Sequence, residues 1–211
     1  MSRARSSTRN QDTKPRTAPS LRRLLTEVRG CQICRAALPF APNPILTVHP
    51  AARLLIAGQA PGKKAHTSNS PWNDPSGDTL REWLGIDRAV FYDARRVALL
   101  PMGFCYPGRG QHGDLPPRAE CAAHWHTRLL AAMPNIRTTV VIGAYAQRYH
   151  LGVEASAGVT DTVRRWREYA PRHLPLPHPS PRNRIWLRRN EWFAEDLLPK
   201  LRAAVARALA D

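Results

Sequence analysis

Leu54-Leu55-Ile56-Ala57-Gly58-Gln59-Ala60-Pro61-Gly62 is an apolar run that breaks abruptly into a glycine- and proline-rich turn. Four apolar residues stopped by Gly58 predict a strand buried on both faces. In open α/β sheets the turn after such a strand is where ligands sit. Gly58 and Gly62 carry no side chain, so a flat or anionic ligand can lie against the backbone between them. Taken alone, the stretch suits an ordinary strand-to-loop exit equally well.

Outward from this strand, helical and strand patterns alternate. Leu21, Leu24, Leu25 and Val28 fall at helical spacing and stop at Gly30. After the strand, residues 58–76 carry turn chemistry throughout, and long loops inside compact domains are usually functional. Leu80, Trp83 and Leu84 then predict a helix from Gly77 to about Gly85, with Ser76 as its N-cap. Val97–Leu100 reads as the next strand, Pro117–Met133 as a helix, Thr138–Ile142 as a β-branched strand and Ala144–Tyr149 as a short helix. His173–Leu176 is the last strand and Trp192–Leu209 the closing helix. Strands alternating with helices imply a parallel sheet covered on both faces.

The 211 residues fit one domain at 21–211 preceded by a tail. Residues 1–20 are rich in Ser, Thr, Arg and Pro, with too little apolar surface to offset the entropy of ordering, and predict a disordered basic tail. A DNA-tracking arm, a transit peptide and a solvated tail all suit that composition. The chain carries 32 Lys and Arg against 16 Asp and Glu, a net charge of +16. Residues 1–23 hold +6 of this, leaving +10 on the remainder, so the folded part is basic in its own right. Such an excess favours a polyanionic partner through phosphate contacts and counterion release. No apolar run is long enough to span a bilayer and no signal-peptide core follows Met1, so the expected location is cytoplasmic, with nucleoid association.

A second stretch gives the turn its chemistry: Leu174-Pro175-Leu176-Pro177-His178-Pro179-Ser180-Pro181-Arg182-Asn183. With Gly58–Gly62 it resembles the paired motifs of the uracil-DNA glycosylase superfamily, the first following the first strand and the last being a His-Pro-Ser loop. The match runs from about Cys31 to Trp192. It is closest to the iron–sulfur-cluster-containing (family four-like) branch, with features of the family-five-like branch. The resemblance implies a three-layer α/β/α sandwich around a central, mostly parallel four-stranded sheet. It also implies a monomeric enzyme acting on uracil-containing DNA, single- or double-stranded, to initiate base excision repair.

The residues can be matched to that chemistry. Excising a base requires flipping the nucleotide, then stabilising an anionic leaving base and an oxocarbenium-like sugar. By resemblance, His178 donates to the O2 of the departing uracil, and Pro177, Pro179 and Pro181 hold it rigid. The first motif lacks the carboxylate found in related branches. Gln59 stands there instead, able to bind the base or hold a water but not to take a proton at neutral pH. The segment Trp72-Asn73-Asp74-Pro75-Ser76-Gly77-Asp78 resembles one in which an aspartate orients the water. Asp74 is therefore the expected carboxylate, with Asp78, an ordinary first-turn acid, as the fallback. Trp72 aligns with an aromatic that stacks on the flipped base. Gly58, Ala60, Pro61, Gly62, Ser180 and Asn183 are expected to bind substrate, with Arg182 as the wedge that enters the vacated helix. Pro101 stands where the superfamily has a uracil-reading asparagine, which predicts relaxed discrimination among deaminated or damaged bases. Lys63 and Lys64 follow the first motif directly, where an amine nucleophile would make the enzyme a lyase.

Cys31-x2-Cys34 and Cys105-x15-Cys121 use every cysteine. Disulfides do not suit an intracellular chain, and four thiolates can hold a [4Fe–4S] cluster or zinc. Spacing leaves both open; the resemblance, which shares the split arrangement, favours [4Fe–4S]. The missing first-motif acid motivates the rival reading, a catalytically weak, metal-cluster DNA-binding protein of the same fold. A nucleotide-binding protein is disfavoured by the absence of any dinucleotide or Walker pattern.

Overall fold

The computed structural model describes residues 21–111 and 113–210; the expected disordered tail, residues 1–20, lies outside them. In chain order the elements are α1 (Leu21–Arg29), β1 (Leu54–Ala57), α2 (Lys63–Ser68), α3 (Pro75–Leu84), α4 (Arg88–Tyr92), β2 (Val97–Leu99), β3 (Arg109–Gly110) and β4 (Gly113–Asp114). There follow α5 (Ala119–Cys121), α6 (Thr127–Ala131), β5 (Thr138–Ile142), α7 (Gly143–Leu151), α8 (Val159–Arg164), β6 (His173–Leu176), α9 (Arg184–Arg189) and α10 (Leu198–Leu209). Four strands form one sheet in the order β2-β1-β5-β6, with every neighbouring pair parallel. β3 and β4 form a separate antiparallel hairpin.

Period-2 alternation sorts the sheet's side chains into two cores. Leu54 and Ile56 of β1 point to one side with Val97, Leu99, Val140, Ile142, Leu174 and Leu176. Leu80, Trp83 and Leu84 of α3, Val163 of α8, and Leu201 and Val205 of α10 cover them. Leu55, Ala98 and Leu100 point to the other side, against Leu24 and Val28 of α1 and Trp125 and Leu129. Ala57 and Val141 meet Ala146 of α7. The result is the expected three-layer α/β/α sandwich, in which each fully buried Leu, Ile or Val contributes about 1.5–3 kcal/mol. Among the described residues no helix is long and apolar enough to cross a membrane.

Several expected boundaries change. Residues 58–76 are not loop throughout: α2 lies inside them, where Ala65 alone is buried and an amphipathic signal is too weak to read. The N-cap of α3 is Asp74, not Ser76; the Gly77 N–H donates to Asp74 Oδ1 at 2.9 Å, and Pro75 takes the first turn. The helix expected over Pro117–Met133 is α5 and α6 joined by a π-helical turn, Ala122–His126. That turn buries His126, whose Nε2 bonds the Pro101 carbonyl at 3.1 Å. The closing helix likewise begins with a π-helical turn at Phe193–Leu197. The short helices α4, α8 and α9 span only five or six residues, too few for periodicity to show.

Because β1 leads to β2 on one side while β5 leads to β6 on the other, a crevice opens at the carboxyl ends of β1 and β5. The functional loops gather there.

Candidate active site

Loops after three strands and the start of α3 enclose a cavity of about 600 Å³. Gly58, Gln59, Ala60, Pro61 and Gly62 line it from the β1 turn, Pro101 from the end of β2, and His178, Ser180, Arg182 and Asn183 from the loop after β6. Trp72 and Asp74 close the side next to α3. The structure thus brings every expected catalytic and substrate-binding residue to one place, although the two stretches stand more than a hundred positions apart in the chain.

The His178 loop is held by its own backbone. Ser180 N–H and Asn183 Nδ2 both donate to the His178 carbonyl, at 2.8 and 2.6 Å. Ser180 Oγ accepts from Arg182 N–H at 3.3 Å and caps the turn Pro181–Asn183. Behind it, buried Gln147 donates to the Leu176 carbonyl at 3.2 Å and fixes the exit of β6. The His178 ring is open to the cavity yet crowded by protein atoms on its other sides. Desolvation lowers its pKa, while Asp74 and Asp114 oppose that by favouring the cation. A neutral imidazole is the preferred state.

Trp72 has its ring 5.8 Å from that of His178 and is held in a left-handed conformation, φ 58°. Its indole also lies beside Gly58, where a Cβ would come within 3.1 Å of the ring. Buried Arg81 donates to the Trp72 carbonyl at 3.1 Å and pairs with Asp78 at 2.6 Å. Asp78 is thereby turned away from the cavity wall, so the fallback carboxylate is a partner of Arg81 rather than a site residue. Asp74 combines two positions, cap of α3 and wall of the cavity. Gln59 lines the cavity too, but its Nε2 donates to the Leu115 carbonyl at 3.0 Å, so its amide pins the β3–β4 hairpin.

That hairpin carries a residue that sequence reasoning missed. Asp114 lines the same cavity as Asp74, and burial raises its pKa against the pull of Arg109, His178 and Arg182. It stands in a short polar stretch between two cysteines, with no periodicity or motif to mark it. Lys63 also lines the cavity at the start of α2, whereas Lys64 does not.

The four cysteines are free thiols. All four line a second, small cavity with Leu38, Pro42, Pro44, Phe104 and Arg118. Arg118 pairs with Glu120 at 2.5 Å and stands close enough to Cys34 to favour its thiolate. Burial raises the thiol of Cys34, that of Cys105 to about 11 and that of Cys121 to about 12. Among the described residues no three His, Cys, Asp or Glu stand closely enough to grip one metal ion.

A family model described as the Uracil DNA glycosylase superfamily matches residues 47–202. Among solved structures, the chain is similar to a Methanosarcina acetivorans protein determined by solution NMR and named provisionally as a uracil DNA glycosylase. The identity is 16%, the match covers 75% of this chain and 94% of that one, and the TM-score is 0.46. The family match spans well over half of the sequence, and the chain belongs to the uracil DNA glycosylase superfamily.

Proposed function

We propose that this protein is a monofunctional DNA glycosylase that flips uracil, and other deaminated bases, out of DNA and hydrolyses the N-glycosidic bond with water. The observation that carries the reading is the convergence of His178, Asp74 and Trp72 on one cavity at the carboxyl ends of the strands. Trp72 offers a face on which the extruded base stacks. His178, held neutral, donates to O2 as negative charge develops on the leaving base; its backbone-locked loop supplies the preorganisation that makes such a donor effective. Asp74 orients the attacking water and its charge opposes the positive charge growing on the sugar. Arg182, exposed at the cavity edge, fills the gap left in the helix and meets phosphate.

The cysteine site suits a [4Fe–4S] cluster in its donors: four soft thiols on one apolar-walled cavity, with Arg118 beside Cys34. A cluster takes one thiolate at each of four irons, and so needs a wider set of sulfurs than the tight tetrahedron around zinc. Cys31, Cys34, Cys105 and Cys121 would hold it, and it would supply structural cross-linking between the end of α1 and the 105–121 segment. This is the arrangement of the family four-like branch, and we infer membership of that branch from it.

The test is single-turnover release of base from a uracil-containing oligonucleotide, followed by alkali. Strand scission only after alkali, abolished by Asp74→Asn and His178→Ala, is the expected result. Scission without alkali would instead assign Lys63 a lyase role, and DNA binding without any release would leave a binding protein of this fold.

A further inference from the structure

We propose that Asp114 reads the edge of the flipped base and confines the site to bases carrying a lactam N–H, the group that deamination of cytosine or adenine creates. The inference rests on the glycosylase reading above and narrows its substrate class.

The wall formed by the end of β2 cannot read a base edge. Pro101 has neither a side-chain donor nor an N–H, and its carbonyl is engaged by His126. The β3–β4 hairpin brings a polar group to the same cavity. The Gln59 amide clamps the hairpin at Leu115, the residue after Asp114. A Cβ on Gly62 would lie 3.5 Å from Asp114 Oδ2, which places the carboxylate against the backbone of the ligand turn. Burial raises its pKa, the larger effect, while Arg109, His178 and Arg182 pull the other way toward the carboxylate, the form that reads the base.

An ionised carboxylate only accepts hydrogen bonds. Uracil presents N3–H on its pairing edge, and hypoxanthine and xanthine present N1–H. Cytosine and adenine present a lone pair at those atoms, which would face the carboxylate oxygens unpaired and repelled. Deamination of cytosine and of adenine turns this acceptor into a donor, so one carboxylate separates uracil and hypoxanthine from their parent bases; guanine and thymine already carry the N–H and are left to the shape of the cavity. Etheno adducts, whose edge is bridged, lack the N–H and are refused as well. The relaxed specificity that Pro101 suggests is thereby limited to lactam bases.

The experiment measures single-turnover release by the full chain from oligonucleotides carrying uracil, hypoxanthine, cytosine or N3-methyluracil, for the natural protein, Asp114→Ala and Asp114→Asn. The natural protein is expected to release uracil and hypoxanthine, and to prefer uracil over N3-methyluracil by at least about 100-fold. Asp114→Ala shrinks that ratio to within about 10-fold. Asp114→Asn, whose amide can turn either a donor or an acceptor to the base, gains cytosine release and raises the cytosine-to-uracil ratio. Should Asp114→Ala fail to fold, the cytosine-to-uracil ratio of the near-isosteric Asp114→Asn decides alone. Uracil release by the natural protein with both ratios unchanged in the variants overturns the role of Asp114 and leaves the glycosylase reading intact. Failure of the natural protein to release any base overturns both.

Discussion

The rings of Trp72 and His178 lie 5.8 Å apart, inclined at 30°, although the residues belong to loops more than a hundred positions apart in the sequence. Trp72 keeps this place because three groups force it. Its own backbone is left-handed, Arg81 holds its carbonyl, and Gly77 lets that carbonyl approach where a Cβ would collide at 1.8 Å.

Gly77→Ala is therefore expected to push the whole Trp72 turn away from His178. Relieving the clash should cost about 1–3 kcal/mol of stability and at least about ten-fold in the rate of base release. A denaturant titration beside single-turnover kinetics checks both. A variant with unaltered rate would mean that Trp72 need not be held against His178.

Asp74 has two duties that substitution can separate. Asparagine caps a helix about as well as aspartate, so Asp74→Asn should leave the unfolding midpoint nearly unchanged. Asp74→Ala should lose about 1 kcal/mol from α3. If the carboxylate positions water, both variants lose base release to the same extent, on the order of 100-fold or more, while binding DNA normally. That same stability pattern with full activity in both variants would reduce Asp74 to a cap.

How much of this was legible beforehand follows from the kind of signal each element carries. β1 and β5 announce themselves by apolar or β-branched runs stopped by Gly, and β6 by a short run that ends at Pro177; the structure places all three with the expected boundaries. The His178 loop is written locally, as alternating prolines. Asp114 and the N-cap were not legible for different reasons. Asp114 reaches the cavity only because Gln59, more than fifty residues away, clamps its hairpin, and nothing in the polar run around it encodes that contact. Ser76 and Asp74 are both good caps, and Pro75 decides between them by claiming the first helical turn. The π-helical turn at Ala122–His126 was invisible because it answers a tertiary demand, the approach of His126 to Pro101.

His126 also makes the wall behind Pro101 sensitive to acid. Burial lowers its pKa to about 4, and His150, whose ring lies 6.5 Å away, is lowered to about 4 as well. The unfolded chain binds these protons near pH 6.5, so between pH 6.5 and 4 it holds more protons than the folded one, and stability falls as pH falls through that window. For His126 alone the shift corresponds to roughly 3 kcal/mol. Phe104, Tyr149 and His150 are the rings packed around it, and no carboxylate acts on it. The ion-paired Glu27 and Glu120, whose pKa values are lowered, add their own loss only below the ordinary carboxylate range. Urea midpoints measured from pH 7 to pH 4 should drop steeply. His126→Gln, which keeps a donor for the Pro101 carbonyl but does not titrate, should flatten the slope.

The cysteine site makes the last prediction, because it joins chemistry to the placement of the hairpin. Cys105 and Cys121 bracket residues 106–120, which carry Arg109, Asp114 and Arg118, while Cys31 and Cys34 follow α1. A group bound by all four ties the first helix to the segment that forms one wall of the active cavity. Protein purified without oxygen is expected to be brown and to contain iron and inorganic sulfide in equal amounts. A colourless protein with one zinc per chain would select the alternative metal. Cys105→Ser should lose the iron and lower the unfolding midpoint. It should also degrade the preference for lactam bases that depends on Asp114, because the hairpin loses the anchor beside it. His178 and Asp74 lie on other loops, so residual uracil release should still disappear on mutating either of them. A Cys105→Ser protein with full iron content, or one that keeps its stability and base preference after losing iron, would show that the four thiols do not brace this wall.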